Sequence, residues 1–426
     1  MKKDKKNKFS VGVAKDYIPS KKILENYAKV LVNFALGSGK GVQKGETIYL
    51  TVNEYARPMY VELYKAILKR GGNVITNYIP DDKETYDKAN SNVSRLFYEL
   101  ASEKQLSYFP SKYMKGLIDE IDHSIYIISD TNKHILKGVD PKKIMTRGKA
   151  FKPYMDWRNH KENAGKFTWT LALYGTPAMA KEAKMSLKEY WAQIIKACFL
   201  DKKDPIAEWK KTYKYIDKAE NKLNSMPIEK LHVKGPDADL WVHLGEKKKW
   251  KSGSGRNIPS FEIFTSPDWR GTNGWIRFSE PLYRYGNLIT GIELWFKDGE
   301  VVKSKATQNE KVLKQMIATE NADKIGEYSL TDTRFSRITK FMAETLFDEN
   351  VGGKYGNTHL ALGNAYHDCY TGDPSQMTTE DWEELGFNSS SVHTDIVSTT
   401  PRTVTAYLKD GTNEVIYKDG YFTFLK

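Results

Sequence analysis

The chain has 426 residues, 40% hydrophobic and 28% charged, the composition of an ordinary globular protein with about two or three domains. No apolar run reaches bilayer length, which argues against a membrane partner, and two cysteines (Cys198 and Cys369) exclude a disulfide framework or a multi-thiolate metal site. The net charge of +12 invites a polyanion, but the lysines are scattered, part of the excess lies in the first residues, and no nucleic-acid-binding motif is present. Nucleic acid is therefore not an expected partner. The basic start "MKKDKKNKFSVGVAKDY" leads into no signal-peptide core, so a cytoplasmic location is expected, and the N-x-S sequons at Asn92 and Asn388 carry little meaning.

In chain order, "ILENYAKVLVNFAL" repeats apolar residues at helical spacing, through Ile23, Tyr27, Val30, Leu31 and Phe34. "ETIYLTVN" reads as a strand, and "RPMYVELYKAILKRGG" as a helix with Pro58 in its first turn and Gly71 ending it. "NVITNYI" completes a βαβ unit, and "SIYIIS" and "FTWTLALYG" continue the buried strands. Residues 1–228 therefore read as an α/β domain with a mainly parallel sheet. Beyond Pro227, "DLWVHLG", "FEIFTSP", "GWIRFSE", "GIELWFKDGEVV", "TVTAYLKDG" and "EVIYKDGYFTFL" alternate like strands, with Asp-Gly turns that favour hairpins. "NEKVLKQMIATENADKIGE" and "RITKFMAETLFDEN" read as helices between them. Residues 229–426 are thus expected to form a mixed α+β domain.

"LGSGKGVQKGE" looks like a phosphate loop, but the pattern needs glycine where Phe34 stands and serine or threonine where Gly41 stands. It also follows a helix rather than a strand. Dinucleotide, nucleophile-elbow and H-E-x-x-H patterns are absent. What remains is a set of oxygen and nitrogen donors beyond residue 228. In "SSSVHTDIV" a strand puts His393 and Asp395 on one face, with Cα atoms roughly 6–7 Å apart, and Val392, Thr394 and Ile396 on the other. His359 lies in "NTHLALGNAY", Glu262 in "SFEIFT", Glu327 at a helix end in "KIGEYSL", and Glu349 in "FDENVGG". Each alone also fits a structural role. On the residues themselves, a buried His–Asp hydrogen bond and a metal site both stand.

Together the segments "NIPSFEIFTSP", "NGWIRF", "FKDGEVV", "IGEYSL", "TLFDEN", "HLALGNAY" and "SSVHTDIV", in that order, resemble the aminopeptidase T and aminopeptidase S family of two-metal metallo-aminopeptidases. "ENYAKVLVNFALG", "VQKGETIYL" and "YGTPAMAKEAKMSLKEYW" extend the resemblance over nearly the whole chain. It implies a hydrolase that removes N-terminal residues from peptides with a free N-terminus, through a water activated by two divalent ions per subunit, about 3.5–4 Å apart. Glu262, Glu327, His359, His393 and Asp395 are the implied metal ligands, with Glu327 bridging, which makes residues 229–426 the implied catalytic, metal-binding domain. Glu349 is a further metal or base position, and Tyr366 the implied catalytic tyrosine. Carboxylates and imidazoles without thiolate leave zinc, cobalt, manganese and magnesium open. A homodimer is also implied. The loop "VGGKYGNT" before His359 and the run "TSPDWRGTNG" depart from the family pattern. The competing function is a peptide- or polyanion-binding protein that retains the fold without turnover.

Overall fold

The structure, a computed structural model, describes residues 17–80, 93–253 and 255–425. The lysine-rich start and Asn92 lie outside them. Ser20 caps the first helix, Lys21–Val30, by accepting from the Ile23 amide, and the chain continues through a π turn at Leu31–Ala35. Tyr27, Val30, Leu31 and Phe34 are buried, as their spacing requires, while Ile23 is only partly buried and its neighbour Leu24 enters the core instead. The helix Arg57–Lys69 starts with Pro58 in its first turn and stops before Gly71, which takes the left-handed φ of +78°.

Five parallel strands form the first sheet, in the order Asn73–Ile79, Thr47–Asn53, His123–Ile128, Thr168–Leu173 and Asn257–Ile258. Four come from the region read as α/β. The fifth, only two residues long, comes from beyond residue 228 and pairs with Leu171 and Ala172. An eight-stranded antiparallel sheet follows, with the strand Ile228–Gly235 near its middle. Its buried face carries Leu231, Val233, Leu240, Val242, Ile276, Leu294, Val404 and Ala406. Asp298-Gly299 and Asp419-Gly420, all at positive φ, close two of its hairpins. The expected class, an α/β region with a parallel sheet followed by mixed α+β structure, is what the chain forms.

A third sheet carries the five residues expected to bind metal, four on three of its strands and Glu262 on a fourth beside them. Its antiparallel order is His393–Ser398, Asn357–Gly363, Ile325–Thr331, Glu262–Thr265 and Lys251–Ser252. One face packs Tyr328, Leu330, Leu360, Leu362, Ile396 and Ile263 into the core. Two expectations fail here. Glu327 does not end a helix: the helix is only Glu310–Ile317, the chain turns at Asn321 with φ +57°, and Glu327 sits inside the strand Ile325–Thr331. Every residue of that strand is buried, so its sequence lacks the alternation of a half-exposed strand. "RITKFMAETLFDEN" is helical only at Thr345–Asp348. The Asp348 carboxylate accepts from the Met342 and Glu344 amides, and Glu344 pairs with Lys133, so tertiary bonds outcompete the helical ladder.

Leu360 is fully buried on the apolar face of the third sheet. Leu360→Ala is expected to lower stability by about 2–5 kcal/mol, read by denaturant titration, through lost burial plus the cavity it leaves.

Candidate metal centre

Antiparallel register brings the donors together. Glu327 stands opposite Ala361, and Ala361 opposite Asp395, so one row across the sheet reads carboxylate, methyl, carboxylate. Ser329 and His359 pair in the next row, and Gly363 and His393 in the row on the other side. Glu262 pairs with Thr331 on the neighbouring strand. Directly opposite residues share a face. His393 and Asp395 therefore do share a face, as the alternation of "VHTDIV" requires, while Thr394 and Ile396 are buried behind them.

Glu327 stands at the centre. Its Oε1 lies 3.0 Å from His359 Nε2, which is also 3.1 Å from Glu262 Oε2. Its Oε2 lies 3.8 Å from His393 Nε2, which is 3.3 Å from Asp395 Oδ1. The two oxygens of one carboxylate thus serve two donor groups, Glu262–Glu327–His359 and Glu327–His393–Asp395. Ser329 Oγ donates to Glu262 Oε2 at 2.9 Å, and His393 Nδ1 lies 2.7 Å from the Asn364 carbonyl. That bond occupies Nδ1 and leaves Nε2 as the ring nitrogen that faces Glu327 and Asp395. Glu349 lies in neither group but lines the same small chamber of about 40 Å³, together with Glu262, Glu327, Tyr366, His393 and Asp395. Its Oε1 accepts from Asn257 Nδ2 at 2.9 Å and Asn350 Nδ2 at 3.4 Å. His359 stands behind the chamber, reaching it through Glu262 and Glu327.

The charges are crowded. Burial, with Glu262 and Asp395 adding repulsion, pushes Glu327 up to about 7 against the hydrogen bond with His359. Burial and the charges of Asp395 and Glu262 raise Glu349 well above the carboxylate range. Burial also disfavours charge on Asp395 and His393, yet each holds the other ionised, with Asp395 down to about 2 and His393 up to about 9. Among the described residues no lysine or arginine forms an ion pair with any of the four carboxylates. Such a set, all oxygen and imidazole nitrogen, fits divalent cations.

Tyr366 joins the chamber with its ring centroid 4.9 Å from that of His393 and 5.7 Å from that of Phe264. All seven residues singled out from the sequence therefore meet at one place. The sequence reading missed Arg256, Asn257 and Trp169, which also line the chamber. Arg256 and Asn257 follow a glycine- and serine-rich loop with no periodic signal, and Trp169 lies in a strand that reads as core. Next to the chamber is a second cavity of about 240 Å³ that shares Trp169, Arg256, Tyr366 and His393 with it and is walled by the helix Lys152–Asn163.

Residues 20–422 match the family described as thermophilic metalloprotease (M29), and the chain belongs to that family. It is a hydrolase. Aminopeptidase PepS of Streptococcus thermophilus is 28% identical over 94% of this chain and 98% of its own length. Aminopeptidase 2 of Geobacillus stearothermophilus is 28% identical over 95% and 98%, and Aminopeptidase T of Thermus thermophilus 28% over 94% and 98%. The solved structure of wild-type AmpT from Thermus thermophilus superposes with a TM-score of 0.78 at 24% identity, covering 95% of this chain and 99% of that one, and supports the fold. The expectation of a metallo-aminopeptidase agrees with the family and with these relatives.

Gly363, opposite His393, has φ +101°, and a Cβ there would stand 2.0 Å from the Val392 carbonyl oxygen. Gly363→Ala is expected to lower stability by about 1–3 kcal/mol or more, read by denaturant titration, because strain and overlap add.

Proposed function

We propose that the chain is an aminopeptidase that uses two divalent cations, with Glu262, Glu327 and His359 holding one and Glu327, His393 and Asp395 the other. The observation that carries this is the division of the Glu327 oxygens between the two groups. When bound, the cations would supply Lewis acidity for the scissile carbonyl and a water acidic enough to attack it at neutral pH. Zinc, cobalt, manganese and magnesium all suit the donors. From the resemblance we extend the proposal to a homodimer and to a cytoplasmic location. Among the described residues no helix is long and apolar enough to cross a membrane. We also divide the chain into residues 1–228 and 229–426, which the change from the helix Pro205–Asn224 to the strand Ile228–Gly235 supports.

The chain's own groups have separate tasks. Glu349, its Oε1 fixed by two amides, carries the proton from the attacking water to the leaving amine; a buried carboxyl that readily holds a proton suits that shuttle. The Tyr366 hydroxyl donates to the oxyanion of the tetrahedral state. The small chamber receives the free amino end, and the adjoining cavity the rest of the peptide.

The experiment is hydrolysis of short peptides by the metal-loaded protein. Release of N-terminal residues, resistance of N-acetylated peptides, loss on chelation and recovery on adding cation are expected. Activity that survives complete chelation contradicts the proposal, and peptide or RNA binding without turnover favours the non-catalytic alternative.

Glu327→Gln should weaken cation binding more than Glu349→Gln, because a neutral amide is a poor bridge between two cations. Metal content by mass spectrometry checks the order. Tyr366→Phe should retain full metal content and lose turnover on the order of a hundredfold or more. Steady-state kinetics with a peptide bearing a free N-terminus reads it.

A further inference from the structure

Arg256 stands where the small chamber meets the larger cavity and lines both. Its main chain is fixed to the edge of the parallel sheet, where its carbonyl accepts from the Leu171 amide at 2.6 Å. Its guanidinium spans two elements far apart in sequence. Nε and Nη2 donate to Glu162 Oε1 at 3.0 and 2.6 Å, and Nη1 donates to Asp368 Oδ2 at 2.7 Å. Glu162 lies in the helix Lys152–Asn163 and is itself held by Trp169 Nε1 at 3.1 Å. Asp368 lies in the short turn His367–Cys369 that begins directly after Tyr366. The guanidinium carbon stands 5.6 Å from the centroid of the Tyr366 ring and 5.7 Å from the Trp169 ring. The Arg256 side chain is largely buried, at 20% exposure, so these charge-assisted bonds work in a poorly solvated setting.

We infer that Arg256 is the positioning residue of Tyr366: it ties the turn after the tyrosine to the helix Lys152–Asn163 and packs against the ring, fixing the hydroxyl over the chamber. This rests on the proposed role of Tyr366 as oxyanion donor. The geometry explains why the residue is arginine. A planar fork can serve two carboxylates in different directions while one face meets a ring, whereas an ammonium is a point charge. With Glu162 and Asp368 as partners, the guanidinium also stays out of ion pairs with Glu327 and Glu349, which would compete with cations. Phe264, His393 and Arg256 all meet the tyrosine ring, which also packs against the buried cluster that contains Trp169. Removing Arg256 takes away the support on the side of the larger cavity, which Arg256 and Tyr366 both line, and a displacement of about 1 Å at such a site can lower turnover on the order of a hundredfold.

A double-mutant cycle tests this on the metal-loaded, full-length protein. Arg256→Lys, Tyr366→Phe and the double variant are assayed for turnover, KM, metal content and melting temperature, with Arg256→Ala assayed with and without added guanidinium. The expected result is a loss of turnover from Arg256→Lys with unchanged metal content, and a double variant within about twofold of Tyr366→Phe alone, since coupled residues are non-additive. Guanidinium should restore turnover to Arg256→Ala but not to Arg256→Ala/Tyr366→Phe. Turnover of Arg256→Lys within a few-fold of the parent overturns the inference, as do losses that multiply in the double variant. A Tyr366→Phe protein with parental turnover removes both the oxyanion role and this inference, while multiplied losses remove the inference alone. If Arg256 variants fail to fold, Glu162→Gln and Asp368→Asn each weaken one arm of the fork, and the same cycle with Tyr366→Phe decides by the same outcomes.

Discussion

Four carboxylates share one buried chamber in this protein, and the rest of the site follows from how that repulsion is managed. Glu262, Glu327, Glu349 and Asp395 cannot all remain ionised and desolvated side by side without positive charge among them. Protons can supply part of it: burial and repulsion push Glu327 and Glu349 up, and the carboxylates beside them draw both histidines toward the imidazolium form. Divalent cations supply it more fully, at fixed positions. A burial pattern that would be a liability in a structural core suits the cation site proposed for it.

The fold supplies this arrangement through strand register. Ala361 leaves only a methyl between Glu327 and Asp395, and Gly363 brings the His393 strand close. A register shift between Ile325 and Glu327 re-aims the strand where the central carboxylate stands. The parallel sheet contributes from its edge. Its two-residue strand Asn257–Ile258 lies a few residues before Glu262, so Arg256 and Asn257 reach the tyrosine and Glu349 from the same short segment. The helices and parallel strands are therefore part of the site's wall as well as its support.

The H-x-D pair was legible because strand alternation dictates a shared face whatever the partners. The parallel sheet was legible too, through its short buried apolar strands and the proline and glycine bounding the helix Arg57–Lys69. Glu327 was misread in its local setting, since a strand buried on both faces, with a carboxylate in place of an apolar residue, loses its period. The helix expected through Glu349 failed because Asp348 binds backbone amides that a helix would have used. That donors spread from Glu262 to Asp395 meet at one point followed from family resemblance rather than spacing. Nothing in "SGSGRNIPS" announced Arg256, whose partners Glu162 and Asp368 are 94 and 112 residues away.

The central claim is that Glu327 stands between two cations. Anomalous diffraction from crystals equilibrated with zinc, cobalt or manganese tests it directly. Two peaks are predicted, one bounded by Glu262, Glu327 and His359 and the other by Glu327, His393 and Asp395, each with Glu327 as a ligand. A single peak at saturating metal, or two peaks with Glu327 bound to neither, would contradict the account.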